Sequence, residues 1–171
     1  MKKEMLSGRR PEKKFISLAC CTKKLMFGFN TPKGEIIFQR RGKNKDTYPG
    51  LLDATVGGHV EIGETYESTA LAEIKEETGL VLKLNDLNFV KFFHHKSHDE
   101  GTGNINNKIQ AIFTYLYRGR IEDLQTEKGD ATGFEAWPIE KLLNISEEEK
   151  KKFIRSIFNE EILGIFRQLQ V

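Results

Sequence analysis

The sequence predicts an α/β (α+β) sandwich in which strands interleave with helices in one domain. Three observations carry this: short strand-length apolar runs punctuated by turn residues, one capped helix at Thr65 to Thr78, and a second helical stretch at the end. The chain has 171 residues, 38% of them apolar and 10% aromatic, which suits one domain with one core. The expected organisation is a flexible basic tail over residues 1–14 and a single domain over 15–171.

The sheet is expected to begin at Phe15 to Cys21 and continue with Leu25 to Asn30, a Thr31-Pro32-Lys33-Gly34 turn and Glu35 to Arg40. A polar stretch, Arg41 to Pro49, leads into a strand from Ala54 to Glu61, expected to break at Gly57-Gly58, where the backbone must approach something closely. The helix follows. Ala70, Leu71 and Ile74 recur at helical spacing, Thr65 can cap the start, and Gly79 stands where helices stop. Two further strands, Asn88 to His94 and Ile109 to Arg120, flank a Gly/Asn-rich loop at 101–107. A short strand near Phe134 to Pro138 precedes one long terminal helix from about Ser146, where Ser146 and Glu149 have capping-box spacing. Its apolar stripe (Phe153, Ile157, Leu163, Phe166, Leu169) suits core packing, with a dimer contact as the alternative, so monomer and homodimer both stand.

Composition excludes several classes. The formal net charge is only +2, without the concentrated basic footprint of a nucleic-acid binder. No apolar run approaches the roughly 18 to 20 residues of a membrane span, so no membrane partner is expected. Cys20 and Cys21 are adjacent, a poor arrangement for a disulfide, and a reducing cytoplasm is the expected compartment.

Chemistry concentrates in Gly58 to Leu80. Glu73, Glu76 and Glu77 stand at i, i+3 and i+4 and share one helix face. Like charges so spaced destabilise an isolated helix, and a bound cation would relieve the repulsion. Oxygen-only ligands favour magnesium or manganese over zinc.

The surrounding pattern is Gly58, five residues, Glu64, seven residues, then Ala72-Glu73-Ile74-Lys75-Glu76-Glu77-Thr78-Gly79-Leu80. It resembles the Nudix box at every fixed position but one, and the lead-in PGLLDATVGGHVEIGE and the Trp137-Pro138 segment resemble the same family. The resemblance implies a Nudix-type α/β/α sandwich. It also implies a hydrolase that cleaves a phosphoanhydride bond in a nucleoside diphosphate linked to another moiety, using magnesium or, alternatively, manganese. Glu73, Glu76 and Glu77 then correspond to the metal-binding carboxylates, the carbonyl of Gly57 joins them, and Glu64 corresponds to the supporting loop glutamate. The general base varies in the family; Glu73 is one candidate, and Glu127 and Glu135 are candidates outside the box. The departure is Ala72, where the family has an arginine that ties down the preceding loop, a bidentate role alanine cannot fill.

Arg40, Arg41 and Gly58 are the candidate substrate contacts, and the partner expected is a small nucleoside diphosphate derivative. Lys43 and Lys45 belong to the same basic loop. His59 can face the site, whereas His94, His95 and His98 lack zinc-site spacing. The stretch QRRGKNKDTYPGLLDATVGGHV also resembles isopentenyl diphosphate isomerase. That enzyme needs a cysteine where this chain has Gly57, so isomerase-like activity is the alternative reading, and a nucleotide-sensing module that has lost turnover is another, resting on Ala72.

Overall fold

A computed structural model of the chain describes residues 21–98 and 105–170, and the side chains of 21, 95–98, 105 and 106 are left aside. Of the expected strand at Phe15 to Cys21 only the backbone of Cys21 is described; residues 15–20, the basic tail and the side chains of Cys21, His95 and His98 lie outside the described residues.

Strands β1 (Cys21–Asn30) and β2 (Glu35–Arg41) are joined by the expected turn, with Gly34 at φ 71°. They pair at only two positions, Phe29 with Ile37 and Asn30 with Ile36. Beyond these the two strands take different partners from one segment: β3 (Leu52–Asp53) pairs with β2, and β4 (Val56–His59) pairs with β1. Fully buried Thr55 sits between them. Its hydroxyl accepts a 2.9 Å bond from the Phe29 N–H and donates to the Ile37 carbonyl, which ties β1 to β2 where they part. The expected break at Gly57-Gly58 thus falls earlier, at Ala54-Thr55, and both glycines lie inside β4.

The other edge of β1 takes β6 (Ile105–Leu116) in parallel, and β5 (Asn88–His98) closes that side antiparallel to β6. Of the expected loop at 101–107, residues 105–107 belong to β6, and 101–104 lie outside the described residues. On the far side β7 (Ala131–Pro138) pairs with β2, completing a mixed seven-stranded sheet.

Side-chain alternation gives the sheet two apolar faces. Ile36, Phe38 and Ile112 face a cluster built with α2 (Ile139–Leu143) and α4 (Glu160–Leu169). Ile37, Leu25, Phe27, Ala111 and Phe113 face the other way, onto Ala70 and Ile74 of α1 (Tyr66–Thr78). Helices therefore cover both faces, as the sandwich requires. Thr65 caps α1 by accepting from the Ser68 N–H, and Gly79 ends it at φ 74°.

The expected single helix from Ser146 is instead broken. Ser146 caps only α3 (Glu147–Lys150), a 3-10 turn spans Arg155–Phe158, and Asn159 caps α4. The cause is pairing with the sheet. The Leu52 N–H donates to the Lys152 carbonyl and the Ile154 N–H to the Leu52 carbonyl, which holds Lys152–Ile154 extended and buries Phe153 against Phe38 and Trp137. Strand β6 also ends earlier than Arg120, giving way to a 3-10 turn at Ile121–Asp123.

Candidate active site

Fully buried Ala70 and Ile74 fix the rotation of α1 against the sheet. Glu73 and Glu77 flank that buried row and so emerge at the seam between the helix and β4. The Glu77 carboxylate accepts a 2.9 Å bond from Nε2 of Gln39 on β2 and another from the Gly57 backbone N–H. In an extended strand the carbonyl and N–H of one residue project to the same edge, so the Gly57 carbonyl faces this seam too.

Glu73 hydrogen-bonds to Glu77 and lies against Gly58, where an added Cβ would overlap its carboxylate. An alanine at that position would displace the Glu73 side chain from its place rather than strain the backbone. Burial, the Glu73 charge and the nearby Glu127 raise the Glu77 carboxyl, and two hydrogen bonds oppose them; the result is pushed up to about 8. Glu73 is raised as well, first by burial, then by Glu76, Glu127 and Glu64. Five carboxylates thus act on one another here.

The remaining predicted residues take distinct places. Glu76 is exposed on the same helix. Glu64 accepts a 2.6 Å bond from the Thr69 hydroxyl, which ties the loop before α1 to the helix. Ala72, standing where the family pattern has arginine, is exposed. Glu127 lies on a loop held to the helix end by a 3.0 Å bond from the Gln125 N–H to the Thr78 carbonyl. Glu135 is elsewhere: it pairs with Arg40, which also donates 2.8 Å to the Gly50 carbonyl. Arg41 binds Asp53 at 3.2 Å and the Thr47 carbonyl at 2.9 Å. Both guanidiniums brace the 42–50 loop, although Arg41 also lines a cleft. His94 meets the Asn107 side chain at 2.6 Å, away from the carboxylates.

That cleft, of about 500 Å³, borders Gly57, Gly58 and His59 and is lined by Lys24, Met26, Phe93, Lys108 and Gln110 from the sheet. Gln39, Lys24, Lys108 and Gln110 are absent from the sequence expectations, because each is an ordinary polar strand residue until register places it.

Among the described residues, no three His, Cys, Asp or Glu side chains form a preassembled cage. The donor set nevertheless fits a hard divalent cation. Two acidic side chains hydrogen-bond to each other over a glycine that leaves room for them, with a third carboxylate one residue from Glu77 and the Gly57 carbonyl at the same edge. A cation there would replace the proton those carboxylates otherwise share.

The model of the NUDIX domain matches residues 25–157 of the chain. An uncharacterised Nudix hydrolase of Clostridium acetobutylicum is 30% identical over 107 residues, covering 63% of this chain and 50% of that one. The chain thus matches about half the length of that relative. The MutT protein of Methanosarcina mazei superposes with a TM-score of 0.62 at 18% identity, covering 86% of this chain and 93% of that one. The NUDIX domain of Shewanella oneidensis NrtR, complexed with ADP ribose, superposes with a TM-score of 0.55 at 16% identity, covering 74% and 78%. These structural likenesses concern the fold.

Proposed function

The chain belongs to the Nudix family, and on that premise we propose that it is a metal-dependent hydrolase of a phosphoanhydride bond in a nucleoside diphosphate linked to another moiety. The observation that carries this reading is the convergence of Glu73 and Glu77 on Gly57-Gly58, two glycines that also border the cleft. Glu73, Glu76 and Glu77, with the Gly57 carbonyl, would hold the ion, magnesium first and manganese as the alternative. The chemistry such an ion supplies is Lewis acidity and neutralisation of diphosphate charge.

The chain's own residues do the rest. Gln39 and the Gly57 N–H orient the Glu77 carboxylate, so one ligand is positioned before anything binds. Gly58 leaves the space in which the Glu73 carboxylate sits against β4. The general base that takes a proton from water is drawn from Glu73 and Glu127, whose charges act on each other. The bond between Thr69 and Glu64 supports the loop that Ala72 cannot reach, which weighs against reading Ala72 as a loss of function. The isomerase-like alternative lacks its thiol at Gly57. The reading extends to a single domain over 15–171 acting on a small molecule in the cytoplasm.

The test is hydrolysis of a panel of nucleoside diphosphate derivatives with magnesium and with manganese, by wild type and by Glu76→Gln and Glu77→Gln. The expected outcome is metal-dependent release lost in both variants with the fold intact. Wild-type turnover in both would overturn the site.

A further inference from the structure

We infer that His59, Lys24, Gln110 and Lys108 form a phosphate-binding subsite on the sheet, which takes a phosphate group of the substrate by charge and hydrogen bonding without a metal ion. The inference rests on the reading above and adds to it the residues that grip the substrate from the side opposite the carboxylates.

Register assembles the row. Lys24 of β1 stands directly opposite His59 of β4 and beside Gln110 of β6, so three neighbouring strands contribute one donor each. Lys108 lies two residues back along β6 and therefore on the same face. The face changes character along its length. Under α4 its residues are apolar, Met26 and Ile112, and they belong to the core there; beyond Ile162 and Asn159 the same rows continue as Lys24, Gln110 and Lys108. All four side chains line the 500 Å³ cleft, with Met26 and Phe93 supplying apolar surface beside them.

The two lysines form no ion pair or hydrogen bond among the described residues. They also press on each other: burial, then Lys108, push the Lys24 amine below its usual range, while Asp53 opposes them. Asp53 is the carboxylate within the cleft lining, and its charge is already engaged by Arg41 at 3.2 Å. Two ammonium groups without an ion pair, an amide and an imidazole in one concave site fit an anion, and a phosphate oxygen set accepts from all three donor types together. His59 follows Gly58 in β4 and so projects to the face opposite Glu73, and a substrate that crosses the β4 edge carrying Gly57 would meet this row on one face and the carboxylates on the other.

The experiment is calorimetric titration of the full chain with inorganic pyrophosphate in the presence of a chelator, so that no metal contributes. Wild type is expected to bind. The double variant Lys24→Met with Lys108→Met should weaken binding by roughly tenfold or more, and Lys24→Arg with Lys108→Arg should retain most of it. Exposed Lys23, outside the cleft lining, supplies the control Lys23→Met, which should bind as wild type does. No binding by wild type, unchanged affinity in a natively folded double methionine variant, or an equal loss in the Lys23 control would each overturn the subsite. Hydrolysis is read separately: metal-free binding with no turnover of any substrate would leave the subsite standing and sink the hydrolase reading. Where turnover occurs, KM for ADP-ribose and for its 2′-phosphorylated counterpart identifies the bound phosphate. A rise for both in the double methionine variant assigns the scissile diphosphate, a rise for the second alone assigns an additional phosphate monoester, and a rise for neither overturns the subsite.

Discussion

At the scale of single residues the account turns on Gly58 and Glu77. Gly58 has no side chain, and its Cα is where the Glu73 carboxylate rests. Gly58→Ala would push that carboxylate away from Glu77 while leaving the backbone conformation accessible. The expected result is a loss of metal-dependent turnover of about tenfold or more with a nearly unchanged melting temperature, since positional errors of about an ångström at a reacting centre have effects of that size. Turnover equal to wild type would mean that Glu73 is not held where it is needed. Helical spacing puts Glu73, Glu76 and Glu77 on one face in the sequence, but it was the surrounding pattern from Gly58 to Leu80 that made them candidate ligands. Gln39 could not, since its bond to Glu77 spans 38 residues and depends on how far β2 lies from α1.

At the scale of elements, the site exists because β1 and β2 part after two residue pairs and the 52–59 segment fills the space between them. Thr55 holds that fork through both hydrogen bonds of its hydroxyl. Thr55→Val keeps the shape and removes both bonds, leaving a buried N–H and a buried carbonyl unpaired. The expected cost is about 1–3 kcal/mol of unfolding free energy, measured by urea denaturation; a loss near zero would show that the fork is held by its apolar neighbours. Helix α1 was legible down to its caps, because Thr65 and Gly79 act locally. The terminal helix was not. Of its periodic apolar residues Phe153, Ile157 and Phe166 are buried and Leu163 and Leu169 partly so, but the pairing of Leu52 with Lys152 and Ile154 is non-local and overrides local propensity. The lysine row was hidden for the same reason: Lys24, His59, Gln110 and Lys108 come from three strands, and only register brings them together.

At the scale of the whole molecule, carboxylates gathered at one seam couple stability to protons and to metal. Burial raises Glu77 to about 8 and raises Glu73 and Asp53 in the same direction. A raised carboxyl binds more protons in the folded state than in the unfolded state between its ordinary and its shifted value. Stability of the metal-free protein should therefore fall as pH rises from about 4.5 to about 8. Thermal melts in chelator should show this decline, and Glu77→Gln should flatten it; a melting temperature that rises across that window would contradict the assignment. A divalent ion added near the upper end should restore what deprotonation removes. The measurement that bears most directly on the central claim is manganese binding by electron paramagnetic resonance, which requires no knowledge of the substrate. The account predicts saturable binding by wild type that is weakened about tenfold or more in Glu77→Gln, as expected when a carboxylate ligand becomes a neutral amide. Equal manganese affinity in wild type and Glu77→Gln would contradict it.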